Sequence, residues 1–343
     1  MRKMKALFLV EKDKLELKEV DIPEPTAGYV LVRMHRAGIC ASDIGYWKRG
    51  SSNLELPVIL GHEVSGTIEK IGSDVQGLMV GDRVVLMNDF YTCGSCKFCI
   101  SGDTNMCINR RSLGSKENGA FSEFILAPKH LVLPLSDSLT FEEGAFLEVL
   151  ACGVHAIHKC GARLQDTVLV SGPGSIGAGA ALVAKAMGCN VIMSGLPKDK
   201  SRLSVIKSLG VDYVVDDPNY LLQLSKDITS GYGVDIAIEA SGSYKSLDTC
   251  LQATRKQGQI VQMGVLPGAS TLDLSPVMFK ELKFFGSYAK THEAWIVAQK
   301  TLVSGLIDVK PLITHTFPLS NYVHAFEKTL DGSGIKIMLC PEE

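Results

Sequence analysis

The sequence has neither a long apolar run nor an excess of charge of one sign. Its most apolar stretch, Ile176–Met187, contains Lys185 and is too short to span a bilayer. The apolar run Ala6–Val10 is shorter than the core of a secretory signal peptide. The formal net charge is -2, so no cationic excess is available for nucleic acid or for an anionic membrane. We therefore expect a cytoplasmic protein whose partner is a small molecule.

Ten cysteines are present, and in the cytoplasm they are expected to be reduced. Four of them follow the spacing C-x2-C-x2-C-x7-C: Cys93, Cys96, Cys99 and Cys107. Four thiolates in one loop can close a tetrahedral zinc site that has no open position, which is typical of a structural site. An iron–sulfur cluster is the chemical alternative, but ferredoxin-type runs have a three-residue gap and a proline after the last cysteine. Here the gap is seven residues and Ile108 follows.

The pattern of the chain changes near Gly153. Residues 1–152 consist of short β-branched runs between frequent glycines and prolines, which predicts a β-rich domain. Residues 153–288 alternate apolar strands with helical segments, which predicts an α/β domain with a doubly wound parallel sheet. The predicted strands are Thr167–Ser171, Asn190–Ser194, Tyr213–Val215, Val234–Glu239, Gln259–Met263 and Leu282–Ser287. Six strands complete such a sheet, so residues 289–343 are expected to return to the first domain.

A glycine fingerprint, Gly172-x-Gly174-x-x-Gly177, follows the first of these strands and begins a predicted helix. This context is typical of dinucleotide binding, with the pyrophosphate at the helix N-terminus. NAD enzymes carry an acidic residue at the end of the second strand, but here Ser194 and Gly195 stand there. Asp199 is a candidate for the ribose hydroxyls of NAD, whereas Lys198, Lys200 and Arg202 are candidates for the 2′-phosphate of NADP. We favour NAD and keep NADP as the alternative.

A third group consists of Cys40, His62, Glu63 and Glu148. Thiolate, imidazole and carboxylate together suit a catalytic zinc that keeps one position for water or substrate. Glu148 lies in an apolar stretch, where a carboxylate is costly unless it is paired or bound to a metal. Ser42 follows Cys40 by two residues and is a candidate proton acceptor.

With these motifs in place, the sequence resembles the zinc-dependent medium-chain alcohol dehydrogenases, in particular their polyol and sugar-acid (sorbitol dehydrogenase-like) branch. The resemblance extends from end to end and includes Gly61-His62-Glu63-Val64-Ser65-Gly66, the four-cysteine lobe at about residues 88–112 and Glu239-Ala240-Ser241-Gly242. It implies a GroES-like catalytic domain, built from residues 1–152 and 289–343, with a Rossmann domain inserted between them. It also implies hydride transfer between NAD(P) and a secondary alcohol, one catalytic and one structural zinc, and a homodimer or homotetramer.

The resemblance also implies roles for individual residues. Cys40 and His62 become zinc ligands, Glu63 and Glu148 complete the metal site, and Ser42 begins the proton relay. The expected cofactor-binding residues are Gly172, Gly174, Ser175, Ile176, Gly177, Ser194, Asp199, Arg202, Ala240, Val265 and Ser287.

The chain departs from its relatives at several positions. Many relatives carry a histidine where Gly45 stands, so the outer proton relay must differ. The arginine by which sorbitol-type enzymes contact the polyol is absent from Gly286-Ser287-Tyr288, and Phe90 replaces the histidine of threonine dehydrogenases. These two departures demote both sorbitol and threonine as substrates. Two alternatives to the leading hypothesis are kept: an amino-alcohol (threonine-type) dehydrogenase, and a non-catalytic, zinc-stabilised nucleotide-binding redox sensor.

Overall fold

The computed structural model describes residues 2–342, which form two compact units. The first unit contains the chain up to Glu148, the segment Thr291–Val303 and the chain from Ile313 onward. The second contains Val149–Lys290 and Ser304–Leu312. The short segment Ser304–Leu312 belongs to the second unit, and no pattern in the sequence indicates this.

The strands, in chain order, are β1 (Lys3–Glu11), β2 (Lys14–Asp21), β3 (Tyr29–Gly38), β4 (Val58–Ile59), β5 (Glu63–Ile71), β6 (Arg83–Leu86), β7 (Asp89–Tyr91), β8 (Arg111–Ser112), β9 (Phe124–Pro128), β10 (Val132–Pro134), β11 (Thr167–Ser171), β12 (Asn190–Ser194), β13 (Tyr213–Val215), β14 (Val234–Glu239), β15 (Thr254–Gln262), β16 (Lys283–Gly286), β17 (Ile313–Pro318) and β18 (Lys336–Cys340). The α-helices are α1 (Ala41–Arg49), α2 (Lys97–Ile100), α3 (Phe141–Cys160), α4 (Ser175–Ala186), α5 (Lys200–Ser208), α6 (Pro218–Asp227), α7 (Tyr244–Ala253), α8 (Ser275–Phe279), α9 (His292–Val303) and α10 (Tyr322–Asp331).

The first unit is built around strand β3, which pairs antiparallel with β5, β9 and β18. Its apolar residues Val30, Val32 and Met34 lie in a core that also contains Phe121 and Phe326. The main sheet has the order β10-β6-β5-β3-β18-β17, and β9 also pairs with β3. The closing strands β17 and β18 thus lie in one sheet with β3, β5 and β6, whereas β1 and β2 form a separate sheet with β4.

The second unit contains a six-stranded parallel sheet of order β13-β12-β11-β14-β15-β16. Strand β11 is buried along its whole length, as expected for a strand that is covered on both faces. The predicted strands Thr167–Ser171, Asn190–Ser194, Tyr213–Val215 and Val234–Glu239 coincide with β11 to β14. The prediction of a doubly wound parallel sheet is confirmed.

Helix α3 is 20 residues long and was not expected. Its start is marked by a reciprocal capping box: the backbone N–H of Glu143 donates to Thr140 Oγ1 at 3.2 Å, and that of Thr140 donates to Glu143 Oε2 at 2.8 Å. The sequence Thr-x-x-Glu before an apolar run carries this signal. Within residues 2–342, neither α3 nor any other helix is long and apolar enough to cross a membrane.

Candidate active site

The four predicted lobe cysteines lie together. Their sulfur atoms are all within 4.8 Å of one another. Cys93 Sγ is 3.6 Å from Cys107 Sγ and 4.0 Å from Cys99 Sγ, and Cys96 Sγ is 3.5 Å from Cys99 Sγ. The backbone N–H groups of Ser95 and Cys96 lower the pKa of Cys93 to about 6. Burial and the neighbouring thiols raise the pKa of Cys99 to about 12, so the thiols differ in how readily they ionise. The distances among the four sulfur atoms fit a closed tetrahedral zinc site.

A second group of ligand atoms comes from Cys40, His62 and Glu63, again within 4.8 Å of one another. Cys40 is the residue before α1, and His62 and Glu63 stand at the start of β5. The pairing of Gly38 with Glu63 in the β3–β5 ladder brings these two chain segments side by side. One sulfur, one imidazole nitrogen and one carboxylate oxygen are the donor set of an open zinc site.

Asp43 supports this group, although sequence reasoning assigned it no role. Its side chain is fully buried and accepts hydrogen bonds from the backbone N–H of Cys40 at 2.8 Å and of Gly61 at 3.4 Å. Its Oδ1 also lies 3.6 Å from Nδ1 of His62. Burial alone lowers the pKa of His62, but Asp43 and Cys40 outweigh it and raise that pKa well above its usual value. The same negative charges favour a bound cation, with Asp43 orienting the imidazole.

Lys336 is the second residue that sequence reasoning missed. Its Nζ donates to both carboxylate oxygens of Glu63, at 2.7 and 2.6 Å, and to the carbonyl of Ile39 at 3.1 Å. Both side chains are buried, with 1% and 0% of their surface exposed. A Cβ at Gly38 would lie 2.0 Å from Glu63 Oε2, so only glycine leaves room for the carboxylate. The available signal was a lysine at the start of the apolar strand β18, flanked by Ile335 and Ile337, because a buried charge needs a partner.

The charged side chains around Glu63 and Lys336 shift one another's pKa values. Burial alone lowers the pKa of Lys336, but Glu63, Cys40 and Glu148 raise it above its ordinary value. Burial raises the pKa of Glu63, and Lys336 opposes that rise. The lysine is therefore a cation that compensates part of the negative charge around the metal position.

Glu148 lies in α3 and is buried, as predicted. It accepts a hydrogen bond from Asn88 Nδ2 at 3.1 Å. It is not part of the group formed by Cys40, His62 and Glu63, so its role as a metal ligand stays a prediction. Ser42 is half-buried in the first turn of α1, two residues after Cys40.

The glycine fingerprint forms the turn from β11 into α4. Gly172 has φ +111°, and a Cβ there would lie 2.7 Å from the backbone nitrogen of Ser241. A Cβ at Gly177 would lie 2.0 Å from the carbonyl oxygen of Gly172. At Gly174, the residue before α4, a Cβ would meet no atom within 4 Å, so the first turn, with Ser175 and Ile176, is open to a ligand. This is the arrangement that a pyrophosphate requires.

The other predicted cofactor residues follow the carboxyl ends of neighbouring parallel strands. Ser194 ends β12, Ala240 follows β14, Val265 comes shortly after β15, and Ser287 follows β16. Because the strands are parallel, these residues share one edge of the sheet. Val265 is 81% exposed, whereas the hydroxyl of Ser287 is buried without a hydrogen-bond partner in the described part of the chain.

The segment after β12 contains the charged residues that were considered for the cofactor ribose. Ser194 is buried and donates to the hydroxyl of Ser171 at 3.0 Å. The Asp199 carboxylate accepts a hydrogen bond from the backbone N–H of Leu196 at 3.0 Å and lies 3.4 Å from Nη1 of Arg202. Asp199 is 7% exposed. The aspartate therefore caps its own turn and partly neutralises Arg202, while Lys198 and Lys200 stay exposed.

The sequence matches two family models: "Alcohol dehydrogenase GroES-like domain" over residues 26–137 and "Zinc-binding dehydrogenase" over residues 175–304. It is 37% identical to D-arabitol-phosphate dehydrogenase of Enterococcus avium over 336 residues, 96% of each chain. The chain belongs to the zinc-binding alcohol dehydrogenase family. It is also 34% identical to sorbitol dehydrogenase of Halalkalibacterium halodurans, over 98% of this chain and 99% of that one.

Among solved structures, a zinc-binding dehydrogenase of Sinorhizobium meliloti bound to NADP superposes with a TM-score of 0.92 at 26% identity, covering 99% of this chain and 100% of the other. The predicted fold class, a GroES-like domain with a Rossmann domain, is confirmed, and so is the resemblance to the polyol branch of the medium-chain enzymes. The protein is a dehydrogenase, which removes the non-catalytic sensor from consideration.

The buried pair Lys336–Glu63 yields a stability prediction. We expect Lys336→Met to lower the free energy of unfolding by about 3–5 kcal/mol, because it leaves a buried carboxylate without its cation. Adding Glu63→Leu removes that uncompensated charge and should recover most of the loss. Urea unfolding of the metal-free variants measures both effects.

The matched control is Lys70→Met. Lys70 pairs with Glu24 at 2.7 Å, the same separation, but both side chains are largely exposed. We expect a change below about 1 kcal/mol there. If Lys336→Met and Lys70→Met changed the free energy of unfolding equally, burial would not determine how strongly an ion pair stabilises the fold.

Proposed function

We propose that this dehydrogenase oxidises a secondary hydroxyl of a polyol, a sugar acid or a related carbohydrate with NAD(P). The carbon loses a hydride to the nicotinamide and the hydroxyl loses a proton, which gives a ketone and NAD(P)H. The observation that carries the proposal is the grouping of Cys40, His62 and Glu63, an open donor set, in a chain that also has the glycine turn at α4. The names of the two relatives, a polyol and a polyol-phosphate dehydrogenase, support the substrate class.

In this proposal each residue has a limited task. A zinc ion on Cys40 and His62 would supply Lewis acidity toward the alcohol oxygen. Asp43 holds the His62 ring, and Lys336 holds the Glu63 carboxylate in place through two hydrogen bonds. Ser42 accepts the substrate proton, and Glu148, oriented by Asn88, completes the polar lining. The lobe of Cys93, Cys96, Cys99 and Cys107 holds a second zinc ion that only stabilises the fold.

Metal content and turnover together test the catalytic group. We expect two zinc ions per chain in the unmodified enzyme. Cys40→Ser should retain one zinc ion and the fold but lose at least about 1,000-fold in kcat, because the open site loses its thiolate. Metal analysis and the formation of NAD(P)H with a panel of polyols and sugar acids measure the two effects.

The control for this variant is Cys340→Ser, which changes a half-buried thiol at the end of β18 outside both clusters. It should keep both zinc ions and its activity. Near-normal turnover of Cys40→Ser with that metal position empty would refute the proposed active site.

We propose NAD as the preferred dinucleotide. The Asp199 carboxylate neutralises part of the charge of Arg202 and opposes a dianionic 2′-phosphate. Asp199→Asn should therefore raise the ratio of kcat/KM for NADP to that for NAD about tenfold or more, since it leaves the Arg202 charge uncompensated. Asp227→Asn removes the same charge at the exposed end of α6 and serves as the control. A tenfold preference of the unmodified enzyme for NADP would refute the assignment.

We also propose that the enzyme forms a homodimer, or a homotetramer built from such dimers, in which the edge strand β16 pairs with β16 of a second copy. Among the described residues β16 pairs with β15 alone, so its outer edge has free backbone groups. Phe284 is 40% exposed on this strand, and Met278 and Phe279 of α8 are 66% and 73% exposed. Sedimentation velocity should show an oligomer that Phe284→Glu converts to monomer, whereas a monomeric unmodified enzyme would refute the proposal.

A further inference from the structure

Helix α1 carries an arginine in an unusual position. An ideal Cβ at Gly45 would lie 2.8 Å from Nη2 and 3.6 Å from Cζ of Arg49; apart from the adjoining residues and the helix's own backbone, no other atom lies within 4 Å. The guanidinium group of Arg49 therefore occupies the volume that a side chain at position 45 would fill. Glycine at this position makes room for the arginine.

The position of the guanidinium relative to the candidate active site follows from helix geometry. Ser42, Gly45 and Arg49 are spaced by three and then four residues, so they share one face of α1. Long helical side chains point back toward the N-terminus, which here is the end at Cys40 and Ser42. Because the guanidinium lies over Gly45, it is about one helical turn, roughly 5 Å, from Ser42 along the helix axis.

The charge of Arg49 is uncompensated. Within residues 2–342, Arg49 and Arg163 are the two arginines whose guanidinium groups have no carboxylate or carbonyl partner. The neighbouring Lys48 is paired with Asp13 at 3.2 Å, and Asp43 is bound to the backbone of Cys40 and Gly61. A free guanidinium presents a planar set of donors that matches a phosphate or a carboxylate.

We propose that Arg49 binds the anionic group of the substrate and selects a phosphorylated or carboxylated polyol over a neutral one. This inference rests on the proposed function, because it names the substrate class for the same site. The reacting hydroxyl lies at the Ser42 end of α1, and the anionic group lies one helical turn away, a separation that a chain of a few carbon atoms spans. The metal position takes the reacting oxygen of the substrate, and the free guanidinium of Arg49 takes its anionic end.

The test compares three substrates of the same carbon skeleton: D-arabitol, a D-arabitol phosphate and D-arabinonate. We expect Arg49→Met to lower kcat/KM for the two anionic substrates by about 10- to 100-fold more than for D-arabitol, the loss typical of a charge-assisted hydrogen bond. Arg49→Lys should recover part of the difference. Gly45→Ala leaves Arg49 chemically intact, but the added methyl group displaces the guanidinium. This variant should therefore also lower the preference for anionic substrates over D-arabitol.

Lys48→Met is the matched control, because it removes a neighbouring cation from the same helix and should affect the three substrates equally. An equal loss for all three substrates in Arg49→Met would overturn the proposal and assign the arginine to the cofactor or to the proton relay. If Arg49→Met kept the preference of the unmodified enzyme for anionic over neutral substrates, the proposal would be overturned as well.

Calorimetric titration of the zinc-loaded enzyme with the D-arabitol phosphate separates this inference from the proposed function. If the unmodified enzyme turns over neither these three substrates nor any member of the panel of polyols and sugar acids, the proposed function fails. Binding that Arg49→Met weakens 10- to 100-fold would still support the anion site in that case, and binding equal in both proteins would refute it.

Discussion

The ion pair between Lys336 and Glu63 joins the two ends of the chain at the candidate active site. The two residues are 273 positions apart, yet Nζ lies within hydrogen-bond distance of both carboxylate oxygens and of the carbonyl of Ile39. The pair therefore connects the closing strand β18 to the end of β3 and the start of β5, where Cys40, His62 and Glu63 stand. A buried pair of this kind requires both partners, because either one alone is an uncompensated charge. The return of the chain to the sheet of β3 and β5 thus has an electrostatic reason as well as an apolar one.

Around this pair the backbone leaves little space. Gly38 makes room for the Glu63 carboxylate, and Gly61, with φ +91°, has no room for a Cβ because Phe121 would lie at 2.5 Å. A Cβ at Gly119 would meet the carbonyl of Gly61 at 2.2 Å. These close contacts fix the backbone on both sides of His62. A ligand group held in this way needs little reorganisation to bind a cation, which is why the glycines stand next to the ligands.

The features that the sequence predicted correctly are those that depend on local residue patterns. The strands β11 to β14, the glycine turn before α4 and the four-cysteine lobe follow from apolar runs and residue spacing, and each lies where the pattern put it. Helix α3 escaped prediction because its residues are apolar on nearly all faces, so no amphipathic period marks it. The partners Asp43 and Lys336 escaped because their importance comes from contacts between distant strands. The free charge of Arg49 likewise depends on which carboxylates lie nearby, and a sequence does not show that.

Each unit has a fully buried glutamate, and the two glutamates differ in their hydrogen-bond partners. Glu63 in the first unit is compensated by a lysine and stands beside a cation position. Glu239 in the second unit is also fully buried, but its partners are neutral: it accepts hydrogen bonds from the backbone N–H groups of Ser241 and Gly242 at 2.9 and 3.1 Å, and from Gln262 Nε2 at 2.6 Å. These bonds tie the loop after β14 to the end of β15 without adding a cation. The N-terminus of α4, which follows the neighbouring strand β11, supplies a positive potential for a pyrophosphate.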